Sequence, residues 1–155
     1  SATTGDARGG IDFNNKRQYS PTASEIIMII QRTTGLVNTR NTVMFTGLSS
    51  LITFSAIDSV IYINGTDSTY TRLLTGDAST STGIDSSITN NGNWENVKIV
   101  CGVDDILLYV NGVLEVTKTT NRPTIKMQPR SFIGTDGANA EARTNRIRYM
   151  EAYNT

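Results

Sequence analysis

The stretch from Trp94 to Thr117 constrains the fold most. Val97, Ile99, Cys101 and Val103 alternate with Lys98, Val100 and Gly102. A two-residue period of this kind turns one face of a strand toward an apolar interior. Asp104-Asp105 breaks the run, residues 106–110 resume it, Asn111-Gly112 breaks it again, and residues 113–117 return. Asn-Gly supplies the positive φ angles of a two-residue hairpin turn. These residues therefore predict three consecutive antiparallel strands.

The rest of the chain follows the same grammar. Residues 25–31 are apolar and β-branched in both phases, which suits a strand flanked on both sides in a packed sheet. Further strands are expected at 11–13, 42–46, 51–55, 59–64, 69–74, 131–134 and 143–153, with Gly47-Leu48-Ser49-Ser50 as a turn and Asn64-Gly65 as a tight hairpin. Residues 75–93 read as one long polar loop, anchored by Ile84 and Ile88. Eleven short strands and no helix predict an all-β protein of two stacked antiparallel sheets, because a single flat sheet would leave one face unburied. The expected organisation is a short docking or flexible arm, residues 1–10, and a single domain, residues 11–155. No internal repeat is evident.

Composition narrows the chemistry. Among 155 residues there is no histidine, which removes His-dependent triads, His general bases and His-ligated zinc. A single cysteine, Cys101, excludes an intrachain disulfide and a cysteine metal cluster, and its inward phase predicts a small buried hydrophobe. Fourteen basic and fourteen acidic side chains give zero formal charge, which argues against a nucleic-acid partner. The longest apolar run, residues 26–30, is far too short to insert in a membrane as a helix. The opening SATTGDARGG has neither the basic nor the apolar region of a signal peptide. Thr, Asn and Ser together supply 50 residues, and Lys only four. Such chains are common among secreted adhesins and virion surface proteins. Acids concentrate in residues 50–117 and bases in 118–155. Those segments are expected to neutralise each other side by side, or to meet across neighbouring subunits.

NWENVKIVCGVDDILLYVNG, residues 93–112, resembles the central signature of the laminin-G-like, concanavalin A-like lectin and glucanase jelly rolls. Trp94, Val97, Ile99, Leu108, Tyr109, Val110, Asn111 and Gly112 sit where that pattern has them. Phe132-Ile133-Gly134 and the closing IRYMEAYN are similar to its last strands, although Arg148 stands where an acid is usual and Ala152 where a larger aliphatic is usual. The opening GIDFNNKRQYSP and SEIIMIIQ extend the likeness over nearly the whole chain. The resemblance implies a jelly-roll sandwich, and the residues agree: Trp94 is expected to pack into the core at a strand start or, as the alternative, to serve as a ligand-stacking platform.

It also frames the functional expectations. Retaining glycosidases need two carboxylates about 5 Å apart. Of Glu25, Glu95, Glu115, Glu141 and Glu151, none has an acid two or four residues away, so the chain reads as non-catalytic. Relatives of this fold often bind Ca²⁺ at the rim through loop oxygens. Asp136, Asn139 and Glu141 are the candidate ligands, with Asp77 and Asp85 weaker ones. Tyr62, Tyr70 and Arg72 are expected to form an outward aromatic and guanidinium strip across the Asn64-Gly65 hairpin, suited to a glycan or a protein partner. The expected function is a non-enzymatic adhesion or decoration protein, exposed on a bacteriophage particle or outside a cell. It would meet a cell-surface glycan or neighbouring virion subunits, and the reading allows a homo-oligomer. The alternatives are a secreted bacterial carbohydrate-binding module and, more distantly, a divergent glycoside hydrolase.

Overall fold

A computed structural model of the chain describes residues 8–12, 16–32, 42–50, 58–64, 70–89, 91–135 and 145–155. Every named element among them is a strand: β1 (Arg8–Asp12), β2 (Ser24–Arg32), β3 (Thr42–Ser49), β4 (Ser59–Asn64), β5 (Tyr70–Gly76), β6 (Ser81–Thr89), β7 (Trp94–Cys101), β8 (Ile106–Val110), β9 (Val113–Lys118), β10 (Gln128–Thr135) and β11 (Asn145–Asn154). They form a six-stranded sheet, β1-β10-β3-β4-β5-β6, and a five-stranded sheet, β11-β2-β7-β8-β9. All the pairings are antiparallel.

The alternation read from the sequence sets the core. Ile26 pairs with Ile99, Ile99 with Leu108, and Leu108 with Val116, so one row of apolar side chains crosses four strands. All four are buried. Met28, Val97 and Val110 form the next row. Leu48, Val60, Tyr62 and Leu73 face them from the six-stranded sheet. Burying one such side chain contributes about 1.5–3 kcal/mol, and these rows are the main source of stability. Cys101 is buried as expected, and desolvation pushes its thiol up to about 11.

Three expected boundaries differ. Gly47-Leu48-Ser49 does not turn but continues β3. A Cβ at Gly47 would stand 2.2 Å from the Val60 carbonyl oxygen of β4. The glycine is there for close strand approach, not for a turn. Residues 81–89, expected within a loop, form β6, and the first strand, expected at 11–13, starts at Arg8, so the last residues of the expected arm dock on β10. The expected strand at 51–55 lies outside the described residues.

The sandwich is closed between its edge strands β6 and β9. The Glu115 carboxylate accepts from the Ser87 amide (3.1 Å) and hydroxyl (2.5 Å). The buried Lys118 ammonium donates to the Thr82 carbonyl (2.9 Å) and hydroxyl (2.5 Å), and desolvation pulls it below the ordinary lysine range. Ile88 of β6 packs against the core, while Ile84 is exposed.

Candidate functional site

Tyr62, Tyr70 and Arg72 do not form one surface strip. Tyr62 is fully buried and stands opposite Leu73, on the inner face of its sheet. Val60 and Tyr62 point inward, reversing the phase expected from Ile61 and Ile63; Ile61 is buried as well, so β4 carries no polar phase to mark its outside. The interior accepts the phenol because its hydroxyl donates to Glu95 at 3.1 Å. Tyr70 is exposed, and Arg72 is engaged by Asp85, Nε to Oδ1 2.7 Å. The Arg72 stem lies over Gly83, where a Cβ would meet its Cδ at 2.5 Å.

The calcium candidates Asp136, Asn139 and Glu141 lie outside the described residues. The Asp77 carboxylate accepts the Ser79 and Thr80 amides, each at 2.8 Å, which lowers its pKa to about 2. Among the described residues no cluster of three or more His, Cys, Asp or Glu could hold a metal.

Trp94 is also placed differently from expectation. It is 44% exposed, and Glu95 takes the inward position beside it. Trp94, Asn96 and Lys98 therefore share the outer face of the five-stranded sheet. Register brings Gln31 opposite Trp94, Ile29 opposite Asn96 and Ile27 opposite Lys98. Tyr149, Glu151 and Tyr153 of β11 stand opposite Ile29, Ile27 and Glu25, and Tyr109 of β8 stands opposite Lys98. The result is one continuous face carrying Trp94, Tyr109, Tyr149 and Tyr153 over an aliphatic floor.

A polar chain crosses this face. The Tyr153 hydroxyl donates to Glu25 Oε1 at 2.5 Å, and this bond, first among several causes, pushes the phenol up to about 12. Glu25 Oε2 lies 3.5 Å from the Lys98 ammonium. That ammonium stands 5.3 Å from the centroid of the Tyr109 ring, a cation–π distance. Tyr149 donates to Glu151, which raises its pKa in the same way. Further along, Arg146 donates to Gln31 Oε1 at 3.3 Å, and Gln31 Nε2 donates to the Gly92 carbonyl at 2.8 Å.

In the middle of this face is a depression of about 390 Å³ lined by Ile27, Asn96, Lys98, Tyr109 and Gly112. The Asn111-Gly112 turn fixes its far wall. Both residues have positive φ, and the Asn111 side chain accepts the Asn96 amide at 2.9 Å. An apolar floor with a few fixed polar groups at the rim can orient a small polar ligand.

This architecture is shared with known structures. The Emp46p carbohydrate recognition domain, in its potassium-bound form, superposes with a TM-score of 0.64 at 8% identity, over 94% of this chain and 77% of that one. The fold is the concanavalin A-like jelly roll. The Emp47p carbohydrate recognition domain matches with a TM-score of 0.59 at 9% identity, over 99% of this chain and 81% of that one. The family 7 polysaccharide lyase AlgAT5, an alginate lyase, matches with 0.55 at 16% identity over 96% of this chain, which spans 63% of the lyase. No family model and no curated protein sequence matches the chain. The jelly roll expected from residues 93–112 is thus the fold observed.

Sequence reasoning missed the outer face, although its signal was present. Once Val97, Ile99 and Cys101 are assigned inward, parity alone sends Trp94, Asn96 and Lys98 outward. The alignment with Glu25, Ile27, Tyr109 and Tyr153 depends on strand register, which spacing within one strand does not contain.

Proposed function

We propose that this jelly roll is a non-enzymatic saccharide-binding domain, and that the outer face of its five-stranded sheet is the binding surface. The observation that carries the reading is the depression over Ile27 and Tyr109, rimmed by Asn96 and Lys98. A sugar ring presents C–H groups to an aromatic or aliphatic floor and hydroxyls to a polar rim. The carbohydrate recognition domains among the structural neighbours support the reading at the level of the fold. Fold alone does not fix function; the chemistry of the face does.

Glu25 and Glu151 are diagonal neighbours on this face, so two carboxylates share it. Each is held by a tyrosine hydroxyl, and the Glu25 side chain is only 12% exposed and also balances Lys98. These engagements favour a binding role over acid–base chemistry. The composition, rich in Thr and Asn and free of disulfides, fits a display role on an exposed surface such as a bacteriophage particle, with a secreted carbohydrate-binding module as the alternative setting.

A glycan array tests the proposal. Wild type should bind a restricted set of glycans, and Tyr109→Ala should lose them while keeping its melting temperature. Undiminished binding by a folded Tyr109→Ala protein would remove the face from the account.

A further inference from the structure

The charge distribution within the depression selects among saccharides, on the reading that this face binds them. Lys98 and Glu25 are an unequal pair. The Lys98 side chain is 40% exposed, the Glu25 side chain 12%. Glu25 gives one carboxylate oxygen to Tyr153 at 2.5 Å, and its other oxygen stays 3.5 Å from the ammonium. A close ammonium–carboxylate hydrogen bond is nearer 2.7–2.9 Å. Glu25 therefore balances the charge of Lys98 without saturating its three donors. The carboxylate is tethered below the surface, whereas the ammonium reaches the rim of the depression, over Tyr109.

The outward charge at the depression is thus positive. Arg146, exposed on the same face, adds a second cation beyond Ile29. The exposed acid, Glu151, already accepts a hydrogen bond from Tyr149. A neutral sugar would gain little from an ammonium lying over the ring it needs to stack on. A carboxylated sugar would draw that ammonium away from Tyr109 and open the ring for stacking.

We infer that the preferred ligand is an acidic saccharide, one whose sugar ring lies on Ile27 and Tyr109 while its carboxylate takes the Lys98 ammonium. Asn96 is placed to bond a ring hydroxyl. Glu25 is a positioning residue, which holds Lys98 at the rim and competes with the ligand for it.

Calorimetric titration of the full chain tests this with matched pairs: oligogalacturonate and oligomannuronate against their carboxyl-reduced counterparts, and sialyllactose against lactose. The acidic member of at least one pair should bind about tenfold or more tightly, the size expected of one charge-assisted hydrogen bond, and the preference should shrink with added salt. Lys98→Met should bring the acidic ligand down to the neutral one, Lys98→Arg should keep the preference, and Glu25→Gln should tighten acidic binding without changing neutral binding. Circular dichroism and melting curves establish that each variant is folded. Equal affinities within every pair would overturn the acidic preference and leave saccharide binding standing. A preference that survives in Lys98→Met, or weaker acidic binding in Glu25→Gln, would overturn the assignment to this pair. Binding to none of the six ligands would overturn the acidic preference, while the glycan array decides whether the face binds saccharide.

Discussion

The Tyr62 hydroxyl, on the six-stranded sheet, donates to the Glu95 carboxylate on the five-stranded sheet at 3.1 Å, so a polar bond spans the sandwich interior. Both side chains are buried, Tyr62 at 0% and Glu95 at 5% exposure. A buried carboxylate is costly unless hydrogen bonds hold it. Tyr62→Phe removes the hydroxyl and keeps the ring. It should destabilise the chain by about 1.5–3 kcal/mol, the usual worth of a hydrogen bond to a charged group. Denaturant unfolding measures it, and an unchanged midpoint would show that Glu95 does not need this donor.

Gly47 gives a sharper test of the packing between β3 and β4. A Cβ there would meet main-chain oxygen, which cannot swing aside as a side chain can. Gly47→Ala should cost about 1–3 kcal/mol, as overpacking in a well-filled interior does. In contrast, Gly112→Ala has open space around its Cβ and should be penalised only for its φ of +85°. Thermal melts of the two variants separate the effects of space and backbone conformation.

Trp94 is the single tryptophan, so fluorescence reports on it alone. At 44% exposure its quenching by acrylamide should fall between that of a buried indole and that of the unfolded chain. Saccharide binding to the neighbouring depression should reduce that quenching. Full protection in the free protein would place the indole in the core and contradict the strand phase described here.

The phenol of Tyr153 should ionise well above the ordinary phenol value. Its bond to Glu25 favours the protonated form and pushes it up to about 12. The sign follows: the fold gains from this pair fully below the ordinary phenol value of 10.0 and loses the gain as pH rises toward 12. Glu25→Gln removes the negative acceptor, and the Tyr153 phenol should then titrate closer to its ordinary value in an absorbance titration. Asp77 runs the other way. Amide donors lower it to about 2, so its contribution holds above 3.8 and is lost as pH falls toward 2.

Much of the fold was legible because apolar alternation is strong where strands are buried. Residues 97–117 carry it so clearly that β7, β8 and β9 follow almost residue by residue. β6 was hidden for the opposite reason. STGIDSSIT lies at a sheet edge and is mostly exposed, so no apolar phase marks it as a strand. Its role is to bond across to β9 through Ser87 and Thr82, and small polar residues serve that role. Tyr62 and Trp94 were misplaced for related reasons. An inward phenol needs an acceptor, and Glu95 is distant in sequence. Trp94 follows the parity of its own strand outward, against the burial that its large apolar ring and the family likeness both suggest. The meeting of Glu25, Lys98, Tyr109 and Tyr153 on the outer face was illegible because they come from four strands, joined only by register.

Chemical-shift mapping during titration with a saccharide that the array or calorimetry shows to bind locates the contact surface on the sandwich. The largest amide shifts should fall on Ile27, Asn96, Lys98, Tyr109 and Gly112, with the Trp94 indole moving as well. Shifts confined to the six-stranded sheet, or to its β4–β5 hairpin around Tyr70 and Arg72, would contradict binding at the outer face of the five-stranded sheet.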